Sequence, residues 1–382
     1  MTDTQRSRIA VLARAGAPIE NRFIDVPPPG PGAVLARVYM GGICGTDVHL
    51  RRGDRQLPFP IVLGHEGTGI VEALGDGVTR DSAGEALTAG DPVYWCPIPP
   101  CHNCYYCTVE KDFSSCSNAA GIHNAEQPGW GSYADLVTLP PGMAIYRIPD
   151  ATSPEAVIAL GCALPAVLQG FDRLALTTLP DSVVIQGAGP IGLSAVLVAK
   201  QLGASTIVVI DQHEHRLDMA RRLGATATVS LTASAAERKA RVLELCGSRG
   251  PRVVVEAAGA LSAFGEGVDL AGHNGVYLLI GLWSGHGTTP VDPTVLVHKN
   301  LRIVGSCFAQ PEHYYRAMYL TAQLEQRLPL TEIITHRFDV FRADEALDTV
   351  ESGLAVKAVI QPAPQARYHA SRGAITARDL DR

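Results

Sequence analysis

The sequence has no apolar run approaching the ~20 residues that a membrane-crossing helix needs. It also lacks a basic block or stripe. The 32 Lys and Arg stand against 38 Asp and Glu, a net charge of −6, which makes nucleic acid and anionic membrane poor partners. Its opening, M-T-D-T-Q-R-S-R, has no hydrophobic signal core, so a cytoplasmic location is the expectation. Internal repeats and low-complexity tracts are missing too. Large rings are scarce, at 6% of the chain, so few are available to line a narrow apolar pocket. Tyr94, Trp95, Phe113 and Trp130 could shape one or could belong to the core. What the chain does have is 382 residues, 46% of them hydrophobic and well dispersed, enough for two or three domains with a sizeable core.

The stretch from Asp181 to Asp211 organises the rest. A β-branched run, Val183 to Ile185, leads into G-A-G-P-I-G at 187–192. A helix-length apolar segment follows, and then a second β-branched run, Ile207 to Ile210, closed by Asp211. Strand, glycine turn, helix and parallel strand fit the ~30 residues of a βαβ unit. Gly187 permits the tight turn, Gly189 lets backbone approach a pyrophosphate, and Gly192 lets helix and strand pack closely. The helix opening at Pro190 and Ile191 offers free N–H groups and a positive dipole end to phosphate. Asp211 stands 19 residues after Gly192, where an acid would bind both ribose hydroxyls of NAD and oppose the 2′-phosphate of NADP. Arg216, one helical turn on, could bind a ribose hydroxyl or tolerate a phosphate. NAD is the expected cofactor.

Nine cysteines then need explaining, and in a reducing compartment clustered cysteines point to metal. Cys101, Cys104, Cys107 and Cys116 form C-x2-C-x2-C-x8-C in a proline- and glycine-rich stretch with little periodicity. Four thiolates around one tetrahedral Zn²⁺ would staple that lobe and leave no open position for chemistry. Cys96, just outside, reads as a small buried hydrophobe. Cys44, His65 and Cys162 could supply a second, catalytic zinc, which needs about three N or S ligands and one open position. Taken singly, each of the three is ambiguous.

In chain order, strand-rich material opens the sequence, residues 61–78 are glycine-punctuated β, and 79–90 form a polar loop. The pattern is helical from Ser153 to Leu174. Alternating strands and helices continue to about residue 306, which implies a parallel sheet covered on both faces. The expected domains are 1–155 with a metal lobe at 96–117, then 156–306, then 307–382, which rejoins the first and ends in a polar tail.

These motifs resemble the zinc-dependent medium-chain alcohol dehydrogenases. The resemblance rests on G-G-I-C-G-T-D-V-H at 41–49, G-H-E-x-x-G from Gly64, G-D-P-V at 90–93 and the four-Cys lobe. It continues with G-W-G-S-Y-A-D at 129–135, G-C at 161–162, the glycine turn, and K-N-L-R-I-V-G-S at 299–306. It implies an α/β chain in which a Rossmann doubly wound parallel sheet is inserted into a GroES-like β-rich catalytic domain, with the active site in the cleft between them. It implies two Zn²⁺ per chain, and Cys44, His65 and Cys162 as ligands of the catalytic one. Glu66 resembles a carboxylate behind the metal that can ligate transiently, and Asp47 the acid that orients the His65 ring. Thr46 would hydrogen-bond the substrate oxygen and pass its proton toward His49. The implied reaction is hydride transfer between an alcohol, or its aldehyde or ketone, and NAD(H). The implied assembly is a homodimer or homotetramer.

Two rival readings are a zinc-independent enone or quinone reductase of the same superfamily and a non-catalytic protein that binds NAD and zinc. Two departures from the family pattern stand out. The last two lobe cysteines are separated by eight residues where the family usually has seven, so the loop must bulge for Cys116 to reach. The 79–90 loop is long, as in a subgroup named for phosphonate catabolism. Arg51, Arg52 and Arg55 could face an anionic substrate or could simply line a solvated turn.

Overall fold

The structure, a computed structural model, describes residues 4–54, 59–119, 129–178, 180–284 and 287–362. They form two compact units, one running up to Gly161 and resuming at Gln310, the other running from Cys162 to Ala309.

In the first unit, β1 (Gln5–Leu12) lies antiparallel between β2 (Glu20–Val26) and the short β4 (Ile61–Val62), as the chain passes through β3 (Val34–Gly42) and α1 (Gly45–Arg52). β5 (Glu66–Leu74), β6 (Pro92–Trp95), β7 (Leu136–Leu139) and β8 (Ile145–Arg147) complete the early strands. Alternation decides which face is buried. Val34, Ala36 and Val38 of β3 join Val71, Val93 and Trp95 in one core, while Leu35 turns the other way onto Val26 and Leu136. The β3–β5 ladder sets Gly42 opposite Glu66. The segment after one strand therefore meets the segment before the other.

The helix expected over Ser153–Leu174 is two helices. α2 (Pro154–Leu160) is capped by the Ser153 hydroxyl, which accepts from Glu155 N, and it packs on β3 and β5 of the first unit. Gly161 then takes φ 43° and ψ −129°, which stops the helix, and α3 (Ala163–Leu174) begins the second unit. The change of unit thus falls a few residues later than the periodicity suggested.

The second unit carries β9 (Ser182–Gln186), α4 (Pro190–Gln201), β10 (Thr206–Asp211), α5 (Glu214–Leu223), β11 (Ala227–Ser230) and α6 (Ala235–Cys246). It continues with β12 (Val253–Glu256), α7 (Leu261–Leu270), β13 (Val276–Leu279), α8 (Pro293–His298) and β14 (Arg302–Gly305). Its six strands are all parallel, in the order β11-β10-β9-β12-β13-β14. The order reverses between β9 and β12, the switch point where open α/β sheets bind ligands. Val184, Val208, Ile210, Val254 and Tyr277 form part of its core.

The chain then returns to the first unit as α9 (Pro311–Leu324), β15 (Ile334–Phe338), α10 (Ala343–Glu351) and β16 (Lys357–Ile360). β16 runs antiparallel to β3, pairing Val359 with Gly42, and so adds late residues to an early sheet. Among the described residues no single helix is long and apolar enough to cross a membrane.

Candidate metal centres and dinucleotide turn

The first constellation grows from the end of β3. Cys44 caps α1, and its backbone N–H donates to Asp47 Oδ2 at 3.0 Å. Asp47 is fully buried, and its Oδ1 lies 3.4 Å from Gly64 N and 3.3 Å from His65 Nδ1. One carboxylate thus ties the Cys44 turn to the residues that precede β5. With Nδ1 turned to Asp47, Nε2 is the ring nitrogen that would ligate a cation. Burial pushes the His65 imidazole down, but the charge and hydrogen bond of Asp47, together with Cys44, outweigh it and hold the group well above its ordinary value. The same negative groups would attract a cation bound beside the ring.

Cys162 comes one peptide bond after Gly161, and the Gly161 carbonyl accepts from the Tyr94 hydroxyl at 2.6 Å. Ligand atoms of Cys44, His65, Glu66 and Cys162 all lie within 4.8 Å of one another. Two thiolates, an imidazole and a carboxylate at that spacing suit Zn²⁺. Glu66 is buried and paired with Lys357 Nζ. Thr46 Oγ1 lies 3.6 Å from Cys44 Sγ, and His49 Nδ1 lies 2.7 Å from Asp54 Oδ2.

The second constellation is the cysteine lobe. Cys104 Sγ lies 3.6 Å from Cys107 Sγ and 3.8 Å from Cys116 Sγ, and Cys116 Sγ lies 3.5 Å from Cys101 Sγ. A tetrahedron with arms of about 2.3 Å has edges of about 3.8 Å, so these separations match four thiolates on one zinc and are far too long for disulfides. Cys116 does reach the other three. A π-type turn, Tyr106–Glu110, carries Cys107 and opens the run to Cys116, and it is the kind of irregularity that takes up one extra residue. Backbone donation from Cys107, with help from the other sulfurs, pulls the Cys104 thiol down to about 6. Cys96 is buried and pushed up to about 12 by desolvation, as befits a core residue.

In the second unit, Gly187 has φ 100°, and a Cβ there would come within 2.9 Å of Ala257 backbone. A Cβ at Gly192 would sit 1.8 Å from Gly187 O, so helix and turn touch through bare backbone. A Cβ at Gly189, by contrast, would meet nothing within 4 Å. Packing inside the chain does not demand glycine at that position. Gly189 caps α4, whose first residues are Pro190 and Ile191. Asp211 Oδ2 accepts from Ala188 N at 2.7 Å and its Oδ1 from His213 N at 2.8 Å, which fixes the carboxylate at the end of β10. Arg216 lies on α5, where burial pulls its guanidinium down and Asp211 pulls it back up.

A family model described as the alcohol dehydrogenase GroES-like domain matches residues 30–150, and one described as zinc-binding dehydrogenase matches 190–323. A 5-exo-hydroxycamphor dehydrogenase of Pseudomonas putida is 50% identical over 358 residues, 93% of this chain and 99% of that one. The chain belongs to the zinc-dependent medium-chain alcohol dehydrogenases. An L-threonine 3-dehydrogenase of Deinococcus deserti is 33% identical, covering 88% of this chain and 93% of its own. An alcohol dehydrogenase structure from Thermotoga maritima superimposes with a TM-score of 0.86 at 30% identity, covering 94% of this chain and all of that one. A zinc-binding dehydrogenase structure from Sinorhizobium meliloti, bound to NADP, gives 0.81 at 27% identity with coverage of 94% and 100%.

This dehydrogenase is therefore a zinc-dependent oxidoreductase that interconverts an alcohol and its carbonyl compound with a nicotinamide cofactor. Its architecture is a GroES-like domain with a Rossmann-type parallel sheet. Membership sets aside the zinc-independent reductase.

Other candidates turn out to be structural. Tyr94 and Trp95 are buried residues of β6, and Trp130 packs in the same core as Trp95. Phe113 sits on a short 3₁₀ turn of the lobe, edge-on to His102. Arg51 lies 2.7 Å from both Asp348 and Glu351, and Arg52 also pairs with Glu351. Neither waits for an anionic substrate, and Arg55 lies outside the described residues.

Sequence reasoning missed Lys357 and the hydrogen bond of the Tyr94 hydroxyl to Gly161. The only signal for the first is one lysine inside the apolar run A-V-K-A-V-I. Nothing local marks the Tyr94 hydroxyl as the group that holds Gly161.

Proposed function

We propose that this dehydrogenase oxidises a neutral secondary alcohol on a compact apolar ring, of the hydroxycamphor type, to the ketone with NAD. The observation that carries the reading is the end-to-end 50% identity to a 5-exo-hydroxycamphor dehydrogenase. Consumption of Arg51 and Arg52 in ion pairs with α10 supports a neutral substrate over a phosphonate.

In this reading Cys44, His65 and Cys162 hold the catalytic zinc, and Cys101, Cys104, Cys107 and Cys116 hold a structural one. Bound zinc supplies Lewis acidity, which brings an alcohol's acidity toward neutral pH. The chain does the rest. Asp47 fixes the His65 ring. The Thr46 hydroxyl accepts the substrate's proton and relays it to His49, whose ring is steadied by Asp54. The turn at Gly187, Gly189 and Gly192 and the N-terminus of α4 receive the pyrophosphate. Asp211 accepts from the adenosine ribose hydroxyls, which favours NAD over NADP, and Arg216 flanks it.

The reading also includes a cytoplasmic homodimer or homotetramer. The exposed outer strand β14 supports association, with Ile303 on it and the 74% exposed Val297 on the preceding helix α8.

The test is a substrate panel read at the nicotinamide absorbance. With NAD, a bicyclic secondary alcohol should exceed L-threonine, sorbitol and a hydroxyalkylphosphonate in kcat/KM by ~10-fold or more, the order a shaped apolar pocket achieves. Preference for the amino acid or the phosphonate would overturn the substrate class. No turnover with any alcohol, despite full zinc, would favour a silent NAD-binding protein.

A further inference from the structure

Lys357 opens β16, a strand in which every residue is buried. Its ammonium pairs with Glu66 Oε2, and each side chain is only 1% exposed. The pair spans 291 positions of sequence and is built by two ladders: β16 runs beside β3, and β3 sets Gly42 opposite Glu66. Bare backbone walls the carboxylate elsewhere. A Cβ on Gly42 would come within 1.9 Å of Glu66 Oε2, and one on Gly161 within 2.0 Å. Ser132 Oγ anchors the Glu66 backbone by donating to its carbonyl at 2.6 Å. A Glu66 oxygen nevertheless lies within 4.8 Å of the ligand atoms of Cys44, His65 and Cys162.

The carboxylate is therefore paired with the lysine and also lies near the three groups that would hold a metal. Zn²⁺ with two thiolates is neutral, so Glu66 would add an uncompensated buried charge, which Lys357 cancels. Take the ammonium away and a buried carboxylate keeps one nearby cation to satisfy it. It would then become a fourth protein ligand, and a four-ligand zinc is a closed, structural site.

We propose that Lys357 is a positioning residue that holds the Glu66 carboxylate off the metal and so keeps the fourth coordination position open to substrate. The inference rests on the reading of Cys44, His65 and Cys162 as metal ligands.

Cobalt-substituted full-length protein tests it, with imidazole as the exogenous ligand and the cobalt ligand-field bands as readout. The four-thiolate lobe, closed to ligands, contributes a constant background. The K357M variant should bind imidazole ~10-fold or more weakly than the parent, within the range seen when a metal's outer partners are removed. The E66Q/K357M double variant should regain the parent's affinity, and K357R should keep it. Should K357M fail to fold, E66Q alone decides. Its imidazole affinity should equal the parent's, because a carboxylate already held off the metal is not missed. A tenfold gain in E66Q would mean that Glu66 competes for the metal despite the lysine, and would overturn the proposal. So would K357M binding imidazole as the parent does, or a double variant that stays weak. A parent protein with no imidazole-sensitive band would instead sink the metal-site reading itself.

Discussion

Asp47 lies 3.3 Å from His65 Nδ1 through one oxygen, and through the other accepts from the backbone of Cys44. Two segments of chain that would each supply a ligand are thus set by one buried acid. Replacing it with alanine should weaken zinc at the Cys44 site by ~10–100-fold, leaving the lobe zinc in place. Competition with a graded chelator series measures this. Equal affinity in D47A and parent would show that the ladder between β3 and β5 suffices without the acid.

Gly161 carries a second prediction. Its φ of 43° disfavours any side chain, and a methyl group there would collide with the Glu66 carboxylate at 2.0 Å. Gly161→Ala should destabilise the fold by ~1–3 kcal/mol from backbone strain alone, with the collision adding to that. Denaturant unfolding reads the stability and metal analysis the occupancy. The expected outcome is a less stable protein holding less than its full zinc. A variant as stable as the parent and fully loaded would mean that α2 and α3 can be joined in another way.

In the proposed reading Asp211 selects NAD over NADP. Both its oxygens accept from backbone N–H groups, which fixes the carboxylate at the end of β10, where it would oppose a 2′-phosphate. Asp211→Ala should lower kcat/KM for NAD by ~10-fold, about 1.4 kcal/mol of transition-state stabilisation, and raise it for NADP. Loss with both cofactors alike would point to a collapsed turn at Ala188 instead of altered recognition.

In the lobe, the zinc-stripped protein should alkylate first at Cys104. A thiol drawn down to about 6 is largely thiolate above that pH, whereas an ordinary thiol near 8.5 is mostly protonated at neutrality. The advantage of Cys104 therefore holds at pH 7 and fades as pH falls through about 6. Iodoacetamide labelling at several pH values, read by peptide mass, measures it. Restoring zinc should protect all four cysteines, and Cys116→Ser should leave one zinc per chain. Uniform labelling of the four stripped thiols would contradict the geometry.

Local physical chemistry made much of this chain legible. The glycine turn between two β-branched runs can be read because its pattern is local: Gly192 answers a contact with Gly187 O inside one βαβ unit, and Gly187 takes a positive φ. The four lobe cysteines can be read because they are neighbours in sequence. The break at Gly161 could not, since Ser153 to Leu174 keeps helical periodicity on both sides of it. The aromatic residues near the metal motif stayed open between pocket and core for a related reason: proximity in sequence does not say which face of a strand a ring takes.

By itself the sequence determined which residue types stand where, namely two sets of candidate soft ligands, a glycine turn of the kind that suits phosphate and an acid after the second strand, together with the parallel character of the middle strands. Only the tertiary structure decided how those groups are held. Lys357 and Glu66 are distant along the chain and share no motif, yet β16, β3 and β5 lie side by side and bury them together. Arg51 and Arg52 look available in sequence until α10 supplies their acids. Periodicity and motif spacing act within a few turns of chain, whereas compensation of a buried charge depends on whichever strand or helix the fold brings alongside.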